Sequence, residues 1–294
     1  MDNSASLNPI IATRIGQHTD ARTHNVRAAK VTNNSSAVSA KSRIAWLGWI
    51  LPIALLLLAE TAAHFGWVQA RLLPPPTEIM QTLSSLAEQG LFTHIFASVA
   101  RVFSGYAIGT VLAIAFGLLV GLSKHAEAFF EPTFQALRAI PSLAWVPLLL
   151  LWFGIDETPK ITLIAIGAFF PIYLGLVSGI RNVDRKLIEL GEMYSLSAIA
   201  LAHRIVLPAA LPSLFTGLRN GLSLAWMFLV AAELIAATKG IGYLLTDGRE
   251  TSRPDVVLAA IILLAILGKL TDGFLKWLET RKLAWSDSLA TRAV

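Results

Sequence analysis

The chain has no cysteine, which excludes a disulfide framework and a thiolate metal site and leaves the redox compartment unmarked. Charge is scarce as well. Asp, Glu, Lys and Arg make up 15% of the 294 residues, against 55% hydrophobic, and the mean hydropathy is +0.62. A soluble globular protein carries more charge than this, so a bilayer is the expected solvent. There is no Walker-type glycine loop, which excludes that cradle for nucleotide phosphates. The six histidines fall at no metal-ligand spacing. The net charge of +5 is not gathered into a basic cluster interleaved with aromatics, which points away from nucleic acid. No cofactor, metal or catalytic residue is expected on this chain.

What is present is apolar length. A spanning helix needs about 20 apolar residues, because within a hydrocarbon core roughly 30 Å thick the backbone must satisfy its own hydrogen bonds. Six stretches approach or exceed that length: 44–63, 97–122, 134–153, 161–180, 211–236 and 256–278. The predicted fold class is an all-α membrane protein of about six transmembrane helices. The first run carries Trp46 and Trp49 near its start and is too long for a signal peptide. Residues 1–42, rich in Asn, Ser, Thr and Ala, lack hydrophobic periodicity and are expected to form a disordered tail. Residues 43–95 hold the first span and an extramembrane connection broken by Pro74, Pro75 and Pro76. The core transmembrane domain is expected over 96–283, followed by a tail over 284–294.

Lys and Arg set the orientation. Arg14, Arg22, Arg27, Lys30, Lys41 and Arg43 precede the first span, while Arg71 stands alone after it, so the N-terminus is expected in the cytoplasm. Alternation then brings Arg181, Arg185, Lys186 and Arg204, and later Lys276, Arg281, Lys282 and Arg292, to that same side. The even span count returns the C-terminus there too.

Two spans carry small residues every fourth position. Gly105, Gly109, Ala113, Gly117 and Gly121 form one such face, and Gly217, Gly221 and Ala225 another; both are expected to meet protein. Opposite the second face, Ser223, Trp226 and Glu233 each lie within roughly 40° of Arg219 and form a stripe with it. Two readings stand open: Arg219 and Glu233 are satisfied by neighbouring helices or the interface, or the stripe lines a pathway for an anion. Pro132, Pro141, Pro147 and Pro171 are expected to interrupt the third and fourth spans. Arg138, Lys269 and Asp272 receive no function; the last two could pair at i, i+3.

Between the fourth and fifth spans runs VDRKLIELGEMYSLSAIALAHRIVLPAALP, from Val183 to Pro212, too long and too helical in pattern for a turn. Asp184 can cap one short helix, with Leu187, Leu190 and Tyr194 on a shared face, and Ser197 a second that ends before Pro208. This loop, assigned to 181–210, resembles the signature of the permeases of binding-protein-dependent ATP-binding cassette importers: EAA, three residues, G, nine residues, I, one residue, LP. The register here is Glu189, Leu190, Gly191, Ser195, Ile205, Leu207 and Pro208, with Gly191 in the place of the second Ala and Ser195 in the place of the Gly. The stretches ALRAIPSLAWVPLLLLWFGIDETPKI, FFPIY, SGIRNVD, VLPAALPSLFTGLR, AAELIA, GIGYL and GKLTD resemble permeases for aliphatic sulfonates, with taurine and nitrate permeases as relatives.

The resemblance implies a bacterial inner-membrane permease of the type I importer fold, working as a homodimer. Its partners would be an ATPase that carries ATP and magnesium, and a periplasmic or lipid-anchored substrate-binding protein. It implies that Glu189 and its neighbours Leu190, Gly191, Tyr194, Ser195, Leu196, Ile205, Leu207 and Pro208 form the loop that docks on the ATPase. It also implies that the segment from Gly240 to Val257 meets the binding protein, with Pro254 departing from the family's pattern. The rival classes are a secondary carrier, for which only Glu233 could serve as a coupling-ion carboxylate, and an inert scaffold.

Overall fold

The computed structural model describes residues 50–67 and 73–284. Residues 1–42, Trp46, Trp49 and Arg71, and all of 284–294 except Ala284, lie outside the described residues. Among the described residues there is no strand. Helix α1 (Ile50–His64) is apolar, with Leu51, Leu57 and Leu58 more than half exposed.

The remaining helices are α2 (Pro76–Glu88), α3 (Leu91–Leu122), α4 (Lys124–Ala139), α5 (Val146–Phe153), α6 (Glu157–Arg181), α7 (Arg185–Met193), α8 (Ala198–Leu201), α9 (Leu207–Ala236), α10 (Ile241–Glu250) and α11 (Pro254–Lys282). Among the described residues four rods are long and apolar enough to cross a bilayer: Leu91–Leu122, Glu157–Arg181, Ala198–Ile235 and Pro254–Lys282.

Helix α6 occupies the centre, and sequence explains why. Its neighbours α3 and α9 each turn their small-residue face toward it, so three backbones approach closely. A Cβ placed on Gly105 would come within 2.7 Å of Ile164 Cβ, and one on Gly109 within 2.6 Å of the Ala165 carbonyl oxygen. From the other side Gly217 lies against the Pro171 carbonyl and Gly221 against Ile172. Ala113, Ala168, Ile164, Ile172, Ala225 and Leu229 are fully buried in the resulting core. Side chains that would separate the helices are absent at just these positions, and dispersion between close-packed backbones takes over where lipid removes the hydrophobic drive.

The third expected span is interrupted at Pro141, as expected from its sequence. It breaks at Ile140 and Pro141 into α4 and a short 3₁₀ turn (Ser142–Trp145) leading to α5, with an 89° bend between the halves. Pro141 cannot donate to the helix, and it pushes Ile140 to extended backbone (ψ 122°). Pro147 then sits in the first turn of α5, where a missing N–H is tolerated. Pro132 and Pro171, expected to interrupt their spans, lie inside continuous helices instead.

Candidate functional site

The loop between α6 and α9 is built by capping. Asp184 accepts the backbone N–H of Lys186 at 2.9 Å and starts α7. Its other end closes with two backbone bonds, Ser195 N–H to Glu192 O (2.8 Å) and Leu196 N–H to Gly191 O (3.1 Å). That paired pattern is a Schellman closure, which requires left-handed backbone at its C′ residue. Ser195 supplies it at φ +54°. The residue thus stands at the turn where glycine is the easiest occupant. Gly191 is buried beneath Leu201 and Ile205, and a Cβ there would collide with the Leu201 Cδ1 methyl. The small residue lets the two arms of the loop close on each other.

Ser197 caps α8 by accepting the Ala200 N–H (3.3 Å), but the second arm does not end before Pro208 as expected. It runs through a π-helical turn (Ala202–Val206) directly into α9, with the Leu207 N–H reaching the Ala202 carbonyl. A proline in a regular helix collides with the carbonyl four residues back; the wider π turn gives the ring of Pro208 room. The second arm and the membrane-embedded α9 are therefore one rod. Meanwhile the apolar side chains of the loop find little cover: Leu187, Leu190, Met193 and Tyr194 of the first arm and Ile199 of the second are exposed, from 44% to 84%. Glu189 is exposed and accepts from Arg185 Nε one turn earlier (3.0 Å). Ile205, Leu207 and Pro208 are half-buried at the junction with α9, and Leu196 bridges the arms.

The stripe of Arg219, Ser223, Trp226 and Glu233 is not gathered into one site. Arg219 donates to both carboxylate oxygens of Asp272 on α11 (2.8 and 3.0 Å) and lies 3.5 Å from Glu279. Trp226 donates to Thr271 Oγ1 on the same helix (3.0 Å). These contacts fasten α9 to α11. Ser223 is exposed and its hydroxyl bonds the Arg219 carbonyl (3.1 Å).

Glu233 belongs to a polar knot at the opposite end of the bundle from the loop. It is 1% exposed and accepts from Arg101 Nη1 (2.7 Å), Ser98 Oγ (2.8 Å) and the Gly242 N–H (2.7 Å). Arg101, itself 6% exposed, also grips both oxygens of Glu157 (2.6 and 2.8 Å), and Glu157 holds the buried Lys160 (3.1 Å). Two cations and two carboxylates balance, so the buried charges of Arg101, Lys160 and Glu233 are compensated. The Gly242 and Ile241 amides, at the start of α10, are received by Glu233 and Ser98, which suits the positive end of a helix. Gly240 is required beside them: its φ is +136°, and a Cβ would fall on the Glu233 carboxylate. Arg101 and Glu157 were not among the sequence candidates, although an arginine inside a 32-residue apolar helix is a signal in its own right.

A bundle of apolar helices clasped by buried charge at one end, with a capped helical loop at the other that continues into a spanning rod, is a multi-pass membrane transport component. The chain belongs to the family of binding-protein-dependent transport system inner membrane components, which matches residues 105–283. It is 40% identical over 260 residues to the aliphatic sulfonates transport permease protein SsuC of Bacillus subtilis (strain 168), covering 87% of this chain and 94% of that protein. It is 43% identical over 239 residues to SsuC of Escherichia coli (strain K12), covering 81% and 91%. With the taurine transport system permease protein TauC of the same bacterium it shares 35% over 237 residues, covering 79% and 86%. Among solved structures, a chain of the inward-facing MetNI methionine ABC transporter superposes with a TM-score of 0.58 at 19% identity, covering 65% of this chain and 95% of that one. That likeness is one of fold. The chain is a permease subunit of an ABC importer and a multi-pass protein of the bacterial inner membrane.

Proposed function

We propose that this permease forms the translocation pathway of an ATP-driven importer for aliphatic sulfonates, as a homodimer joined by two copies of a separate ATPase and by an external substrate-binding protein. The observation that carries the coupling role is the loop. Its first arm is capped at both ends and presents Leu190, Met193 and Tyr194 to solvent, an apolar patch of the kind that marks a protein contact. Its second arm is continuous with α9, so a push on the patch acts on a spanning rod. Arg185, Lys186 and Arg204 around it support a cytoplasmic position, with both termini on that side. ATP and magnesium would then bind on the partner, not on this chain.

The sulfonate assignment draws on the 40% and 43% identities to SsuC proteins, with taurine, nitrate or another oxyanion as the alternative, since TauC is 35% identical. A secondary carrier is disfavoured because Glu233, the carboxylate weighed for coupling-ion duty, is committed to Arg101, Ser98 and the start of α10. The segment from Gly240 to Val257, lying at the end away from the loop, would receive the binding protein.

The test is to make Glu189→Lys and Met193→Glu in the assembled transporter. Loss of patch complementarity by about 1.4 kcal/mol or more should lower ATPase association and uptake tenfold or more. Normal association and normal uptake in both variants would overturn the docking role.

A further inference from the structure

A cleft between α6 and α9 is used by neither the loop nor the polar knot. It has a volume of about 410 Å³ and is lined by Pro171, Leu174, Gly175 and Ser178 on one side and Ser213, Thr216, Gly217 and Asn220 on the other, a size suited to a small ligand. Its floor is the close crossing of Gly175 with Gly217, whose missing side chains leave the space open. Ser178, Thr216 and Asn220 are exposed on it. Thr216, Asn220 and Ser223 continue along one edge of α9 within roughly 60° of arc.

Two features separate this face from one that meets lipid. Hydroxyl and amide groups in the middle third of an apolar rod are unfavourable against hydrocarbon. The Asn220 amide and the Ser213 hydroxyl also have no hydrogen-bond partner among the described residues, whereas the Thr216 hydroxyl is turned to the Pro212 carbonyl (3.1 Å) and Ser178 receives Asn182 (3.0 Å). No cationic side chain lines the cleft. The nearest arginine along α9, Arg219, faces α11 and is neutralised by Asp272 and Glu279.

We propose that this cleft is a wall of the aqueous route, and that it contacts a passing oxyanion through neutral donors, chiefly Asn220 with Ser213 and Ser178, rather than through a fixed positive charge. The assignment rests on the importer reading above. Neutral donors suit transit: they stabilise sulfonate oxygens without the deep well that an unpaired cation would create. Arg219 instead fastens α9 to α11, and the anion meets the neighbouring face of the same helix.

The absence of cysteine makes the experiment clean. Single variants Thr216→Cys, Asn220→Cys and Ser178→Cys are placed in the full transporter in nanodiscs and treated with the anionic thiol reagent 2-sulfonatoethyl methanethiosulfonate. Ile266→Cys, on the exposed apolar face of α11, serves as the comparison, and Gln89→Cys, exposed at the end of α2, as the aqueous standard. Thiolate forms readily only in contact with water, so the cleft positions should react about tenfold or more faster than Ile266→Cys. Modification of Asn220→Cys should also stop ATP-driven uptake. Rates equal to that of Ile266→Cys at all three cleft positions would overturn the proposal. So would spontaneous disulfide-linked dimers of Asn220→Cys that resist the reagent, because the face would then be a dry contact between copies. ATP-dependent uptake by the untreated variants is scored separately: if it persists while the thiols stay silent, the route assignment fails and the importer reading stands.

Discussion

Replacing Glu233 by Ala removes the acceptor that three donors share: Arg101 Nη1, Ser98 Oγ and the Gly242 N–H. Removing one partner from a buried ion pair costs about 3–5 kcal/mol. Arg101 retains Glu157, whose side chain is 49% exposed, so the loss belongs near the lower limit, about 3 kcal/mol. For a domain of this size that corresponds to a fall in Tm of roughly 6–12 °C, followed by tryptophan fluorescence on heating the purified protein in detergent. The electrostatic origin is separable from lost packing. Glu233→Leu and Arg101→Leu should each destabilise, and the double variant should be less destabilised than their sum by about 1 kcal/mol or more, because no charge is then left buried without its partner. If Glu233→Ala melted within a degree or so of the parent, or if the two leucine changes were additive, the knot would contribute nothing and the clasp of α3, α6, α9 and α10 would have to come from packing alone.

Three further outcomes follow from particular contacts. Ser195→Gly should stabilise the loop by about 1 kcal/mol, because the left-handed backbone at φ +54° is unfavourable for serine and free for glycine; protection of the 185–201 amides from hydrogen exchange reads it, and unchanged or weaker protection refutes it. Gly109→Leu should overpack the α3–α6 crossing at the Ala165 carbonyl and lose about 1–3 kcal/mol, seen as lower folded yield and a lower melting point, while parent-like behaviour would mean the helices are not in contact there. Arg219→Gln should leave Asp272 and Glu279 facing each other without a cation and lower the melting point modestly, with recovery in Arg219→Gln/Asp272→Asn. The absence of such recovery would show that Arg219 acts on something other than α11.

Legibility in the sequence followed the range of the interactions. The caps at Asp184 and Ser197 are local, settled within about one helical turn, and could be located from residue type and spacing, whereas the left-handed turn at Ser195 was marked only by the family's glycine at that place. The small-residue faces of α3 and α9 were legible because a period of four is a helical surface whatever it packs against. The break at Pro141 was signalled by the proline, but the size of the bend was not, since summed hydropathy over 134–153 registers apolar length and not direction. Nor was the continuity of α8 with α9, where a π turn accommodates Pro208 in a way no propensity anticipates. The partners of Arg219 and Glu233 were out of reach for a third reason: Asp272 and Arg101 lie 53 and 132 residues away, and only the packing of four helices brings them together.

The measurement that bears most directly on the account is sulfonate flux into proteoliposomes carrying the permease alone or with its ATPase, using ethanesulfonate loaded onto the binding protein. Uptake should appear only when the ATPase and internal or external ATP on its side are both present, and should vanish when the loop patch is disrupted by Met193→Glu. Uptake driven by an ion gradient through the permease alone, indifferent to ATP, would contradict it.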